Sequence, residues 1–481
     1  MHVIFINSQY DFVPVPQRSF GPYLLKHVLQ KHGYRSQVVD FCQEFTAEQI
    51  FSFVQKFVTD ETVCVGLSST FWSIRNLYNI NDQYGMPDNI YNAVKLIKSS
   101  FPNLKIILGG TRAGLTNIML EDVDVCFIGE SEDTLIDVLD HWTKGSPEPS
   151  FTIKEIINKK MYQHPINKRF DIQYCDFKWA LNDCINDGET LPIETARGCV
   201  FKCKFCNYPH LGKKKFDFLK SIDLVKEHLI HNYNNFKITN YLIADDTFND
   251  TEYKVNAFLD MVESLPFKIN FVAYIRADLL YRFPGMAEKL QRAGLLSVFF
   301  GIESLHPSAS HLAGKAWSGK HAREYIPHLL NNIWKRQVFE LCTFLVGLPG
   351  ETKDDLESTL QWANENKIKV AFVPLRLIKA LDHRSTSSEF EKNSEKYGFR
   401  FDENNAWYNK DWTSESAGHA GADLNNRREV HYLGGFHFLS LMSLGYNTNE
   451  ILLLNDAPND AELKRRVKKF IDDYVDKLNA L

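Results

Sequence analysis

The sequence predicts an α/β protein with an N-terminal doubly wound domain, a partial (β/α)6 TIM-type barrel and a helical C-terminal region. Short apolar runs alternate with segments of helical spacing over most of the chain, which is typical of parallel sheets covered by helices. The second series of runs contains six strand–helix units with no strand-to-strand hairpin, and this pattern favours a barrel or partial barrel.

Composition is consistent with this class. The 481 residues are 44% hydrophobic and 24% charged, which allows two or three domains with a sizeable core. The net charge of −5 does not favour a nucleic-acid partner. We find no signal peptide at the N-terminus and no apolar run long enough to span a bilayer. The nine cysteines are an odd number, so we expect no disulfide framework and a cytoplasmic location.

Residues 1–145 are predicted to form the doubly wound, Rossmann-like domain. Its strands are expected at Val3–Asn7, Ser36–Asp40, Val63–Ser68, Ile106–Leu108 and Val125–Ile128. Small residues follow the later strands, at 68–70, 109–111 and 129–130. Since open parallel sheets bind ligands beyond the carboxyl ends of their strands, we expect a ligand-binding edge there.

The rest of the chain divides into three predicted segments. Residues 146–190 contain Pro147, Pro149 and Pro165 and are interpreted as a linker. Residues 191–400 form the barrel, and residues 401–481 are helical and rich in aromatic residues. The barrel strands are predicted at Pro192–Thr195, Asn240–Ala244, Asn270–Tyr274, Ser297–Gly301, Glu340–Val346 and Lys369–Pro374.

The strongest motif is a cysteine cluster after the first barrel strand. Cys199, Cys203 and Cys206 have the spacing C-x3-C-x2-C. Thiolates bind iron–sulfur clusters, and a four-iron cluster with three protein ligands leaves one iron open for a substrate. A Cys3His zinc site completed by His210, or three buried thiols, would also explain the motif.

This loop resembles the cluster loop of the radical S-adenosylmethionine (SAM) superfamily, including the aromatic Phe205 before the third cysteine. The resemblance implies that the three cysteines hold a 4Fe–4S cluster whose open iron chelates the amino and carboxylate groups of SAM. It further implies reductive cleavage of SAM to a 5′-deoxyadenosyl radical.

The resemblance assigns SAM-binding roles to residues at the ends of later strands. Asp245 and Asp246 would hold the cofactor ammonium, and Arg276 would pair bidentately with its carboxylate. Glu303 would bind the ribose hydroxyls. A structural role competes with each assignment. The two aspartates could cap a helix, Arg276 could be purely structural, and Glu303 could belong to an ion pair. The remaining predicted SAM-site residues are Ser304, Gly347, Gly350 and Leu377.

A doubly wound domain before a radical SAM barrel resembles the cobalamin-binding class of the superfamily. The resemblance places Ser68, Ser69 and Thr70, with Gly109 and Gly110, at the corrin tail. The D-x-H-x-x-G motif that ligates cobalt elsewhere is absent from this sequence. We therefore expect no histidine on the lower face of the cobalt. Trp72 would cover that face, or else belongs to the core.

Three further features have competing interpretations. Cys42, Cys64 and Cys126 would hold a second cluster in the methylthiotransferase branch, but two of them lie in apolar strand runs typical of buried thiols. The aromatic segment 407–445, with His419, His431 and His437, is either a lid that shields radicals or a packing module. Lys213–Lys215 is a solvated turn or an anion-capture site.

The sequence therefore predicts a radical SAM enzyme with a 4Fe–4S cluster, SAM and cobalamin, methylating an unactivated carbon. Its partners would be a small-molecule or peptide substrate and a reductant such as flavodoxin or ferredoxin, with no membrane or nucleic acid. One alternative is radical oxidation, rearrangement or cyclisation without cobalamin. Another is a non-catalytic iron–sulfur or zinc-binding protein.

Overall fold

A computed structural model describes most of the chain. The described residues are 1–9, 15–72, 86–110, 113, 122–150, 152–156, 159–163, 170–208, 211–315, 317–377, 388–429, 438–447, 450–451 and 461–481. His210, His431 and His437, which the sequence analysis named, lie outside them.

The N-terminal sheet is doubly wound. Its first five strands are β1 (His2–Ile6), β2 (Arg35–Val39), β3 (Thr62–Ser68), β4 (Lys105–Gly109) and β5 (Val125–Ile128). They pair in parallel in the order β2-β1-β3-β4-β5, so the winding direction reverses between β1 and β3. The central strands are nearly continuous runs of buried residues, as expected for a sheet covered on both faces.

Helices cover both faces of this sheet. They are α1 (Phe20–Lys31), α2 (Ala47–Phe57), α3 (Asp88–Ser100) and α4 (Glu132–Lys144). A capping box formed by Thr46 and Gln49 begins α2, and Gly145 in the left-handed conformation ends α4.

The predicted linker contributes to the N-terminal sheet. Strands β6 (Thr152–Ile156) and β7 (Lys159–Gln163) form an antiparallel hairpin, and β7 pairs in parallel with β5. The sequence analysis did not anticipate this hairpin, because prolines on either side of it resemble those of an irregular connection.

The barrel is open and entirely parallel. Its strands pair in sequence order, from first to last, with no crossing connection. All six strands lie close to the predicted positions and share one carboxyl edge. They are β8 (Thr190–Ile193), β9 (Asn240–Ile243), β10 (Asn270–Ile275), β11 (Leu295–Glu303), β12 (Phe339–Val346) and β13 (Val370–Pro374).

Helices on the outside of the barrel connect successive strands. These are α5 (Ile222–Phe236), α6 (Glu252–Glu263), α7 (Ala277–Arg282), α8 (Met286–Arg292), α9 (Pro307–Leu312), α10 (Gly319–His328) and α11 (Lys353–Glu365). Among the helices that the structure describes, none has both the length and the apolar character needed to cross a membrane.

The C-terminal region divides between the two domains. After the short helix α12 (Glu389–Lys392), an antiparallel pair, β14 (Arg400–Phe401) and β15 (Trp407–Tyr408), leads into α13 (Ser414–Asn426), and Trp407 is buried in the barrel core. In contrast, α15 (Ala461–Ala480) packs in the core cluster of the N-terminal domain, and α14 (Phe438–Ser443) joins this cluster and also packs on the barrel, where Phe438 stacks on Phe339. Whether residues 407–445 act as a lid or as a packing module stays a prediction.

Candidate active site

The cysteine loop lies at the carboxyl end of the first barrel strand. Cys199 is buried, and Cys203 and Cys206 are half-buried. The carbonyl oxygen of Cys199 accepts hydrogen bonds from the amide nitrogens of Gly212 (2.7 Å) and Lys213 (3.2 Å). The segment that follows the cysteines thus folds back over them and holds the loop.

Two polar groups from neighbouring strands contact the thiols. The Thr247 Oγ1 lies 3.3 Å from the Cys199 Sγ, and the Arg276 Nη1 donates to the Cys203 Sγ at 3.4 Å. Burial raises the pKa of the Cys199 thiol and that of Cys206, the latter to about 12. Hydrogen-bond donors near the thiols are what a bound iron–sulfur cluster uses to tune its potential.

Asp245 supports the cysteine loop from within. Its two carboxylate oxygens accept from the Thr195 amide (2.7 Å), the Ala196 amide (2.9 Å), the Thr195 hydroxyl and the Lys254 Nζ (2.7 Å). A carboxylate offers about four acceptor sites, so all are filled. The expectation that Asp245 binds the cofactor ammonium is therefore corrected: this side chain positions the loop.

The buried charges continue beneath the loop. Lys213, whose side chain is fully buried, lies 3.8 Å from the Asp250 carboxylate, and Lys254 lies at the same distance on its other side. Lys213 is therefore not the solvated residue that one interpretation expected, whereas Lys214 and Lys215 are exposed. Asp245, Asp250, Lys213 and Lys254 together form a charge-balanced network below Cys199.

Asp246, the other carboxylate of the predicted pair, lies beside the thiols of the cysteine loop. It is half-buried and contributes to the raised pKa of both the Cys199 and Cys206 thiols, after the larger effect of burial. Its position beside the thiols fits the cationic end of a cofactor bound at the open iron.

Arg276 is buried and held in a fixed orientation. Its Nε and Nη2 form a bidentate pair with Asp278 at 3.0 and 2.7 Å, and its guanidinium lies 3.8 Å from the ring centre of Phe201. The bidentate face is therefore occupied by Asp278, which corrects the expectation of a bidentate pair with a cofactor carboxylate. The Nη1 group that contacts Cys203 still faces the cluster loop.

Glu303 ends the fourth barrel strand in a left-handed conformation, with a φ of 72°. Such backbone strain in a residue other than glycine is concentrated at functional sites. Its carboxylate pairs with the Lys315 Nζ at 3.0 Å. The neighbouring Ser304 hydroxyl accepts from the His306 amide and donates to Glu351, so it links two segments of the barrel edge.

Glu351 is a buried carboxyl in the turn after the fifth strand. Burial raises its pKa to about 8, and Ser304 is the donor to its Oε1. The Trp412 indole donates to the Glu351 carbonyl oxygen at 2.6 Å. The C-terminal segment is thereby attached to this turn.

The two glycines of the predicted SAM site, Gly347 and Gly350, face the same C-terminal segment. A Cβ on Gly347, which has a φ of 113°, would lie 2.5 Å from the Trp407 Cη2. The Gly350 amide donates to the Asp411 carboxylate at 2.7 Å. The Trp407 indole therefore lies against Gly347, and the part of both glycines in the SAM site stays a prediction. Leu377 is fully buried in the barrel core.

The edge of the N-terminal sheet is built differently. Ser69 donates from both its amide and its hydroxyl to the Gly109 carbonyl oxygen, at 2.9 and 2.7 Å. A Cβ on Gly110 would lie 2.8 Å from the Thr70 hydroxyl, so the turns after β3 and β4 touch. Among the residues described at these two turns, Ser68, Ser69, Thr70, Gly109 and Gly110 are all small, which fits the predicted approach of a corrin tail.

Two alternatives for this domain meet structural objections. Trp72 is 1% exposed and belongs to the hydrophobic core, in agreement with its competing core role. Cys42 and Cys126 are buried in one core cluster and Cys64 in the other. Because these thiols belong to different cores, they do not form one ligand set for a second cluster.

Arg197 connects the two edges. Two residues before Cys199, its guanidinium contacts Glu194 (2.9 Å), Glu132 (2.8 Å) and Glu130 (3.3 Å). Glu130 follows β5 and Glu132 begins α4, so both acids come from the N-terminal domain. The cysteine loop is thus fastened to the carboxyl edge of the other sheet.

The donor set fits an iron–sulfur cluster with an open iron. Three thiols come from one short loop, with Asp246 and Arg276 beside them. Within the described ranges, no three His, Cys, Asp or Glu side chains are close enough together to hold a single metal ion.

The sequence analysis missed most of the supporting residues. Thr247, Lys254, Asp278, Lys315 and Glu351 contact the predicted residues, yet none has a distinctive spacing. The i,i+4 pair of Asp250 and Lys254 was a signal, but such pairs usually lie on solvated helix faces.

Comparisons with known proteins agree with this geometry. The model of the radical SAM superfamily matches residues 193–363. An uncharacterized methyltransferase from Pyrococcus horikoshii is 23% identical over 364 residues, covering 73% of each chain. The bacteriochlorophyllide d C-8(2)-methyltransferase of Chlorobaculum tepidum is 22% identical over 279 residues, covering 56% of this chain and 58% of its own.

A solved structure shares the whole fold. The radical SAM methyltransferase TsrM from Kitasatospora setae, with cobalamin and a 4Fe–4S cluster bound, superposes with a TM-score of 0.63. The superposition covers 98% of this chain and 99% of TsrM at 13% sequence identity. The arrangement of doubly wound domain, partial barrel and C-terminal helices is therefore confirmed.

Proposed function

We propose that this chain, whose residues 193–363 form a domain of the radical SAM superfamily, is a cobalamin-dependent enzyme that methylates an unactivated carbon. The family match makes it a radical SAM enzyme with a 4Fe–4S cluster and SAM, and disfavours the zinc-binding alternative. The proposal concerns cobalamin and the methyl transfer.

The observation that carries the proposal is the attachment of the cysteine loop to the second sheet. Arg197 joins the loop to Glu130 and Glu132, at the carboxyl edge of the N-terminal sheet. A ligand at that edge would lie beside the SAM site, as a methyl carrier must. The methyltransferase names of two relatives, and the cobalamin bound in TsrM, support the same conclusion.

The residues have distinct roles in this scheme. When bound, the cluster and SAM supply a 5′-deoxyadenosyl radical, and cobalamin supplies a transferable methyl group. Cys199, Cys203 and Cys206 hold the cluster, Asp246 binds the cofactor ammonium and Glu303 the ribose. Ser68–Thr70 and Gly109–Gly110 receive the corrin tail.

Several supporting residues exclude water or fix geometry. Asp245 and Arg276 are positioning residues, because their carboxylate and bidentate face are filled by partners within the protein. Trp412 attaches the C-terminal segment to the turn after the fifth barrel strand, and Trp407 attaches it to Leu375 after the sixth. Shielding of this kind protects a radical from stray hydrogen donors.

Anaerobic reconstitution tests the proposal. We expect cluster absorbance, bound cobalamin by absorbance and mass spectrometry, and release of 5′-deoxyadenosine on reduction with dithionite. Release of 5′-deoxyadenosine by protein that never binds cobalamin would instead favour oxidation, rearrangement or cyclisation. The substrate, a small molecule or a peptide, and the cytoplasmic location remain predictions.

A further inference from the structure

We infer that the outer face of the cysteine loop is the docking surface for an acidic one-electron donor protein. The surface, called here the donor patch, consists of Lys202, Lys214, Lys215, Phe216 and Tyr253. This inference rests on the proposed function, because that function requires an electron at the cluster.

The donor patch is basic in an acidic protein. Residues 199–217 contain one aspartate and five lysines, of which all but the buried Lys213 remain to carry surface charge, whereas the whole chain carries a net charge of −5. Lys202, Lys214 and Lys215 are exposed, and none forms an ion pair with any residue that the structure describes. Lysines without a carboxylate partner leave their charge available to attract an anionic surface.

An exposed aromatic pair lies next to the lysines. Phe216 is 64% exposed and Tyr253 62% exposed, and their rings meet edge to face with centres 5.4 Å apart. Two adjacent large apolar side chains in water are a feature of interaction sites. Aromatic residues are also enriched at protein–protein interfaces.

The lysines and Phe216 of the donor patch belong to the same folded loop as the cysteines, whereas Tyr253 lies on α6. The Gly212 amide donates to the carbonyl oxygens of Cys199 (2.7 Å) and Phe201 (3.1 Å). A Cβ on Gly212 would lie 2.0 Å from the Lys202 Cε, so the Lys202 side chain crosses Gly212. An electron entering at this face has a short path to the thiols.

Electron transfer suits a surface of this kind. The donor loses one electron and is oxidised, the cluster gains that electron and is reduced, and no atom is exchanged. Encounters between redox proteins bury little surface and depend on charge steering. A basic rim around an aromatic pair is complementary to an acidic flavodoxin or ferredoxin.

The test separates docking from catalysis. We would measure binding of a flavodoxin and a ferredoxin to the reconstituted enzyme by calorimetry at low and high salt. Release of 5′-deoxyadenosine would be driven either by the reduced donor or by dithionite. The variants are Lys214→Glu with Lys215→Glu, and Phe216→Ser alone. The charge-matched control is Lys353→Glu with Lys469→Glu, two exposed lysines outside the donor patch.

We expect the lysine variant to weaken donor binding at least tenfold at low salt and to lose most of its salt dependence. Donor-driven release should fall in parallel, while dithionite-driven release stays within twofold of the wild type. Unchanged donor binding, equal weakening by the control, or no binding of either donor to the wild type would overturn the inference.

Failure of the proposed function would appear separately. In that case the wild-type enzyme would release no 5′-deoxyadenosine even with dithionite, a reductant that needs no docking surface.

Discussion

The carboxyl edge of the barrel and the turns after β3 and β4 of the N-terminal sheet are expected to bind their ligands by different means. The barrel edge is crowded with buried charged side chains, and most have a partner within the protein: Asp245 with Lys254, Arg276 with Asp278, and Glu303 with Lys315. In the N-terminal sheet, the turns after β3 and β4 instead present serines, a threonine and glycines, although charged groups lie at the ends of the outer strands β2 and β5.

The difference follows from the ligands. SAM is zwitterionic and a cluster is held by thiolates, so their site needs charges that are oriented before binding. A corrin ring is large and contacts protein chiefly through neutral groups, so its site needs open space and backbone. We therefore expect substitutions at the barrel edge to act through charge and those at the other edge to act through volume.

The largest effect is expected from loss of a cluster ligand. Cys203→Ser should abolish iron retention and 5′-deoxyadenosine release, because a four-iron cluster cannot lose one of three protein ligands and remain productively bound. Iron analysis and product quantification check this result. Cys126→Ala, a change in the other domain, should leave the iron content unaltered, and a parallel loss of iron there would revive the second-cluster alternative.

Substitutions of the two adjacent aspartates at the barrel edge should have different effects, one on stability and the other on SAM binding. Asp245→Ala breaks a buried ion pair and leaves Lys254 without its partner, at a cost of about 3–5 kcal/mol in the free energy of unfolding. Chemical denaturation measures this cost. Asp246→Asn should leave stability nearly unchanged and raise the KM for SAM. Equal destabilisation by both changes would contradict the separate roles.

At the opposite edge the critical property is volume. Gly110→Ala places a methyl group 2.8 Å from the Thr70 hydroxyl in a backbone with a φ of 98°. We expect a loss of about 1–3 kcal/mol in stability and weaker cobalamin binding. Gly21→Ala, in helix α1 of the same domain, is the control, since its added Cβ would meet no atom within 4 Å. Identical behaviour of the two variants, measured by cobalamin titration, would remove the volume argument.

The smallest effect is expected on the pH dependence of stability. It comes from Glu351, a carboxyl that is kept neutral at the barrel edge. Because burial raises the pKa of Glu351 to about 8, the folded state favours its protonated form. Its contribution to stability is complete below pH 4.5 and is lost as the pH rises towards 8. Between pH 6 and 7, the wild type should lose about 1.4 kcal/mol relative to Glu351→Gln. Parallel stability curves for the two proteins would show that Glu351 is not neutral.

Local patterns predicted the elements and the cluster loop. The six barrel strands and the first five strands of the other sheet were predicted within a few residues, because buried parallel strands are short apolar runs bounded by small residues. The three cysteines were found by spacing alone, since all three ligands come from eight consecutive residues. Glu303 and Asp246 were placed at strand ends in the same way.

Tertiary structure decided how the buried charges and glycines are used. Asp245 looked equal to Asp246 in the sequence, but donors from the preceding strand end and from α6 fill its acceptor sites. Gly347 faces Trp407, which lies far along the chain. The C-terminal helix joins the N-terminal domain, where the Asp40 amide donates to the Tyr474 hydroxyl. A single sequence shows which charged and polar groups need a hydrogen-bond or ion-pair partner. Packing between residues far apart in the chain selects that partner.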